Sequence, residues 1–171
     1  PLIIATFNFR TLLQTGQQAL LAKSLDERNI DICAISESRL PESGCTVINV
    51  PNSKHYFKLY YSGPNNRNGL HCVAISLSIR LLPYVTAFMP VNERLAIIKL
   101  NSRPLTITII AAYAPTNDAT ADDIDNFYMK LDDITLKHTK SDDMIIIAGD
   151  FNAQMGRDEQ RSETGRYSFG K

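Results

Sequence analysis

Ile145-Ile146-Ile147-Ala148-Gly149-Asp150-Phe151-Asn152-Ala153 joins an apolar strand to a glycine turn that presents a carboxylate and an amide together. A short apolar run bounded by a turn former reads as a strand. Because the stretch Met144 to Ala148 is apolar on both faces, it is expected inside a sheet. Asp and Asn after Gly are also ordinary turn residues, since both bond their own backbone and tolerate left-handed conformations. The weight of this turn comes from three earlier apolar runs that likewise end on a polar side chain. Asn8 closes Leu2-Ile3-Ile4-Ala5-Thr6-Phe7, Glu37 closes Ile30-Asp31-Ile32-Cys33-Ala34-Ile35-Ser36, and Tyr113 closes the run from Leu105 to Ala112 and leads into Ala114-Pro115-Thr116. Strand ends along one rim of a sheet sandwich are where a rigid scaffold holds converging polar groups.

These four stretches, in this order, resemble the endonuclease/exonuclease/phosphatase superfamily: Thr6-Phe7-Asn8, Ile35-Ser36-Glu37-Ser38-Arg39, Tyr113-Ala114-Pro115-Thr116 and Gly149-Asp150-Phe151-Asn152-Ala153. Within it the likeness is greatest to the apurinic-type endonuclease domains of non-LTR retrotransposons, the RTE-like branch in particular. The resemblance implies an α/β fold, a two-sheet sandwich flanked by helices of the DNase I-like kind. It covers the chain from end to end but only the front part of a family domain. Family members carry a further Asn, an Asp and a final Asp-His pair downstream, whereas no histidine follows His138 here. Residues 1–171 are therefore expected to form a single, incomplete domain, truncated at the C-terminus and inactive alone. The start at Pro1 rather than Met also reads as a fragment of something longer.

A chain of 171 residues with 44% hydrophobic and 21% charged residues is one ordinary globular domain with enough length for a sizeable core. Lys plus Arg and Asp plus Glu both number 18, so the net charge is zero, unlike that of a strongly basic nucleic-acid binder. A bound metal can neutralise phosphate locally, so a nuclease is not excluded. Cys33, Cys45 and Cys72 form neither a CxxC pair nor an even set, which suits a reduced intracellular setting. No apolar run reaches the roughly 18 residues of a membrane-spanning helix, and no leader peptide is visible.

Along the chain, residues 2 to 8 read as a buried strand. A helix from about Gln17 to Arg28, with Leu21, Ala22 and Leu25 inward, and a strand over 30 to 36 complete a β-α-β opening with a parallel pair. From Cys45 to Leu100 short strands in antiparallel meander follow, broken by the turn-rich loop Ser62 to Gly69. Asn101 to Pro104 connects into the strand 105 to 112. A second helix opens on a capping box-like pair, Thr120 and Asp123, and carries an apolar stripe of Ile124, Phe127, Tyr128, Leu131, Ile134 and His138. Acids at its start and Lys137 and Lys140 at its end suit the helix dipole. The acidic cluster is thus read as capping rather than a metal site.

Hydrolysis of a phosphodiester needs charge neutralisation, a base for water and donors for developing charge. Magnesium takes one or two carboxylates and keeps several waters, a demand that Glu37 supported by Asn8 can meet. An acid directly after a buried strand needs solvent, a partner or a metal to offset desolvation. The resemblance implies Glu37 and Asn8 at a Mg2+ site, with Mn2+ as substitute. It further implies Asp150 as the base, Asn152 and Tyr113 as catalytic donors, and Asn8, Tyr113 and Asn152 against the phosphate. Arg39 can touch the nucleic-acid backbone or stay in a solvated turn, Arg94 can pair with an acid, and His55, His71 and His138 read as structural. The implied function is metal-dependent nicking of DNA, followed in the parent polyprotein by a reverse transcriptase domain, with no membrane partner and a nuclear setting if chromosomal DNA is the target. Alternatives are a phosphomonoesterase or phospholipid-type diesterase of the same superfamily, or a catalytically dead binding module.

Overall fold

The computed structural model describes residues 1–9, 11–64 and 71–153. Two sheets face each other, and a helix covers the outer face of each. The first sheet holds β1 (Ile4–Asn8), β2 (Ile32–Ser36), β3 (Ser43–Asn49), β4 (Tyr56–Ser62) and β5 (Val73–Ser78) in the order β1-β2-β5-β4-β3. The second holds β6 (Val85–Asn92), β7 (Leu95–Ser102), β8 (Leu105–Tyr113) and β9 (Met144–Asp150) in the order β6-β7-β8-β9. β1 and β2 run parallel, as do β8 and β9, and every other pair is antiparallel. A 3-10 helix over Ile79–Tyr84, which nothing in the sequence announced, carries the chain from one sheet to the other.

Alternation along each strand builds the layers, since neighbouring residues point to opposite faces. In β2, Cys33 and Ile35 join Leu21, Ala22 and Leu25 of helix α1 (Thr15–Glu27), whereas Ile32 and Ala34 face the second sheet. In β7, Ala96, Ile98 and Leu100 meet the first sheet, while Leu95 and Ile97 pack on Phe127, Leu131 and Ile134 of helix α2 (Ala121–His138). The Thr120 hydroxyl accepts from the Asp123 N–H and so caps α2. The sandwich and its helices match the expected fold class.

Three expectations need correction. The first strand is not buried: among the described residues β1 pairs with β2 alone, and Leu2, Ile3 and Phe7 are exposed. β9 is likewise not interior, because β8 is its one partner among the described residues and Met144, Ile145 and Ile147 are exposed. Hydropathy reports what a strand would bury, not whether a neighbour is present to bury it. Tyr128 leaves the α2 stripe for solvent, being one residue past Phe127 and so turned off the buried face. The loop positions 65–70, and the polar tail beyond 153 with Gly156, Gly165 and Gly170, lie outside the described residues.

Asp31, read in the sequence as an ordinary strand position, is a buried tie between elements. Its carboxylate accepts from the Ile3 N–H at 3.0 Å and the Ser78 hydroxyl at 3.4 Å and pairs with the Arg80 guanidinium. It thereby fixes the end of the sheet opposite the strand ends that carry Asn8 and Glu37. No helix of the described residues is long and apolar enough to cross a membrane.

Candidate active site

The two parallel pairs set the register of the site. β1 and β2 place Asn8 opposite Ser36, so Glu37 leaves the sheet beside Asn8. β8 and β9 place Tyr113 opposite Asp150. The two edge strands come together across the sandwich, and Asn8 closes the seam: its amide donates to Glu37 Oε1 at 3.0 Å and to Asp150 Oδ2 at 3.0 Å. Tyr113 Oη donates to the same Glu37 oxygen at 3.3 Å. A cleft of about 270 Å³ opens at this seam, lined in part by Asn8, Ser36, Gly149, Asp150 and Asn152.

Local backbone conformation aims these groups. Glu37 has φ 58°, in the left-handed region that costs a non-glycine residue of order 1–3 kcal/mol unless its surroundings enforce it. Here the next amide, that of Ser38, is held by the Cys72 carbonyl at 3.0 Å. Asn152 has φ 47°; its N–H donates to Asp150 Oδ1 at 2.9 Å, an Asx turn, and its side-chain amide donates to the Ala114 carbonyl at 2.7 Å. Both Asp150 oxygens are thereby fixed, one by Asn8 and one by Asn152.

All five residues expected at the site, Asn8, Glu37, Tyr113, Asp150 and Asn152, are thus brought together. Arg39, also left-handed at φ 56°, is exposed two residues past Glu37. Two further side chains, Arg94 and His71, meet Tyr113. Arg94 lies over the Tyr113 ring, 5.4 Å from guanidinium carbon to ring centre, and donates to the Tyr113 carbonyl at 3.2 Å, with no acid paired to it among the described residues. His71 packs its ring 5.9 Å from that of Tyr113. Neither had a sequence signal, because both reach Tyr113 from loops distant along the chain. His55 does serve structure, bonding Asp26 at 2.8 Å.

Burial raises the Tyr113 phenol above the ordinary tyrosine pKa, and the charge and hydrogen bond of Glu37 add to it, while Arg94 and the Asn152 amide pull against it. The hydroxyl therefore stays protonated as a donor at neutral pH. Burial pushes the thiols of Cys33 and Cys72 up to about 12 and about 11, so neither is a nucleophile.

The donor set suits a hard divalent cation. Two carboxylates, oxygen ligands both, meet at an exposed seam, and their negative charges are bridged by the neutral Asn8 NH2 alone. Among the described residues no three His, Cys, Asp or Glu side chains cluster as a metal cage. Magnesium needs no such cage, since it keeps most of its waters.

No family model matches the chain. It is 31% identical over 169 residues to craniofacial development protein 2 of Bos taurus, covering 98% of this chain and 27% of that protein. The chain thus spans about a quarter of the length of that curated relative. Among solved structures it is similar to the endonuclease domain of TRAS1, a telomere-specific non-LTR retrotransposon, with TM-score 0.60, 13% identity, and coverage of 90% of this chain and 61% of the other. An endonuclease/exonuclease/phosphatase family protein from Leptotrichia buccalis C-1013-b gives TM-score 0.58 at 16% identity, over 90% of this chain and 67% of that one.

Proposed function

We propose, from the premise that this chain has the fold of the endonuclease/exonuclease/phosphatase proteins, that it is the catalytic part of a magnesium-dependent phosphodiester hydrolase that nicks DNA. The observation that carries the proposal is the Asn8 amide, which ties Glu37 of one sheet to Asp150 of the other at 3.0 Å each. Such a pair of carboxylates held at one seam is costly to the fold and useful to a reaction that needs both a cation and a base.

Glu37 and Asn8 would hold Mg2+, or Mn2+ in its place; when bound, the ion supplies charge neutralisation and Lewis acidity toward a phosphoryl oxygen. Asp150 accepts the proton of the attacking water, its orientation fixed by its two hydrogen bonds. Tyr113 and Asn152 turn from Glu37 and the Ala114 carbonyl, their present acceptors, to the equatorial phosphate oxygens. Arg39 faces the nucleic-acid backbone from the rim. A retroelement context, with a reverse transcriptase domain following in the same polypeptide, is the accompanying reading, supported by the likeness to the TRAS1 endonuclease domain.

The test is plasmid nicking by the full-length protein against magnesium concentration. Glu37→Gln is expected to raise the concentration for half-maximal rate by about tenfold or more, the size typical of a weakened metal site. An unchanged titration would remove Glu37 from it.

The domain is also proposed to be completed by chain beyond residue 171, motivated by the exposed apolar side chains of β1 and β9, which have one strand neighbour each among the described residues. Unpaired apolar edges favour aggregation. Residues 1–171 alone are therefore expected to sediment as aggregates and to lack nicking; a monomer that melts cooperatively and nicks like the full-length protein would contradict this.

A further inference from the structure

Hydrolysis of a phosphodiester leaves one proton unaccounted for by the residues assigned so far. Asp150 takes a proton from water, but the departing alcohol also needs one, or it leaves as an alkoxide. Asn8 and Asn152 are not acids, and the Tyr113 phenol, raised by burial and Glu37, gives up its proton reluctantly. Among the described residues, the titratable side chain against Tyr113 that has no assigned task is His71. It stands two residues before β5, half-buried, its ring tilted 39° to the Tyr113 ring at 5.9 Å. Its Nδ1 is buried without a hydrogen-bond partner among the described residues, which leaves Nε2 as the nitrogen available to a ligand.

We propose that His71, through Nε2, is a catalytic residue that hands a proton to the leaving oxygen of the phosphodiester beside Tyr113, an inference that rests on the phosphodiesterase reading above. As the water oxygen forms its bond to phosphorus, its proton passes to Asp150. The bond from phosphorus to the alcohol oxygen breaks, its electron pair stays on that oxygen, and the His71 proton joins it. The neutral imidazole is then reprotonated from solvent, and Asp150 returns its proton there.

The charges around the ring make this step substrate-dependent. Burial and then the Arg94 guanidinium hold His71 below the ordinary histidine value, with Glu93 and Glu37 opposing and the neutral Tyr113 phenol in contact. The ring is therefore mostly neutral in the free protein at neutral pH. An anionic phosphodiester laid against it favours the charged form, so proton uptake accompanies substrate binding. Because the protonated form is the active one, the rate on an alcohol leaving group falls as pH rises through the substrate-bound pKa.

The experiment compares the full-length protein with its His71→Gln variant on two substrates in magnesium. One is a DNA phosphodiester, whose alcohol needs a proton; the other is bis(4-nitrophenyl) phosphate, whose phenolate leaves without one. Expected is a loss of about 10²-fold on DNA and less than about threefold on the nitrophenyl ester, with the high-pH decline on DNA abolished. Equal losses on both substrates, or none, would overturn the role of His71 while leaving the phosphodiesterase reading standing. A wild-type protein inert toward both would bring down that reading and this one together. If the variant does not fold, the wild-type profiles decide: a high-pH decline on DNA that is absent on the nitrophenyl ester supports the proposal, and identical profiles refute it.

Discussion

Asp150→Asn is expected to lower DNA nicking by the full-length protein about 10²–10⁴-fold, the range for loss of a positioned general base. The substitution keeps shape and removes charge. Asp150 Oδ1 can still accept from the Asn152 N–H as an amide oxygen, so the Asx turn survives. The other position becomes an NH2 facing the NH2 of Asn8, and one of the two amides must rotate. That exchange costs about 1 kcal/mol of stability, a hydrogen bond's worth, and leaves the melting curve nearly in place. A single-turnover rate within threefold of wild type, with the fold intact by melting, would remove Asp150 from the role of base.

The second large effect falls on stability. Gly149→Ala is expected to destabilise the protein by at least about 3 kcal/mol, combining backbone strain with overpacking. Gly149 has φ 153°, a conformation L side chains rarely adopt, and it pairs with Ala112 in the parallel β8–β9 ladder. A Cβ there would overlap the Ala112 carbonyl group, which is backbone and cannot swing aside. Relief requires β9 to move off β8, and Asp150 is the next residue on β9. For a domain of this size the expected fall in Tm is on the order of 6–12 °C. Nicking should fall with it even below that temperature. A variant that melts within 2 °C of wild type, on the same scale, would show that the ladder accommodates the methyl group.

Much of this arrangement was legible in the chain because local chemistry and global fold agree at particular residues. The apolar runs ending at Asn8, Glu37, Tyr113 and Asp150 are strands or lead directly out of them, and Thr120 caps α2 as its spacing with Asp123 implied. The polar groups at those ends do converge on one seam. What stayed hidden depends on partners far away in sequence. Periodicity cannot say that β1 and β9 have one strand neighbour each among the described residues, since an apolar strand looks the same beside one neighbour or two. Arg94 and His71 carry no spacing relation to Tyr113; they meet it because β5, β7 and β8 deliver their ends to the same rim. Asp31 was equally silent, since its three partners come from the segment ahead of β1, the end of β5 and the 3-10 helix.

The hydrogen bond between Asn8 and Asp150 spans 142 residues of sequence and joins what is, among the described residues, the end strand of one sheet to that of the other. On a ribosome adding about 5–20 residues each second, Asn8 waits on the order of ten seconds for that carboxylate to be made. During that interval the first sheet can form with Asn8 bonded to Glu37 but without Asp150. The nascent chain therefore passes through a stage in which one side of the seam is built and the other is not. Under the hydrolase reading proposed above, nicking cannot begin before the two halves of the sandwich have met and β9 has docked.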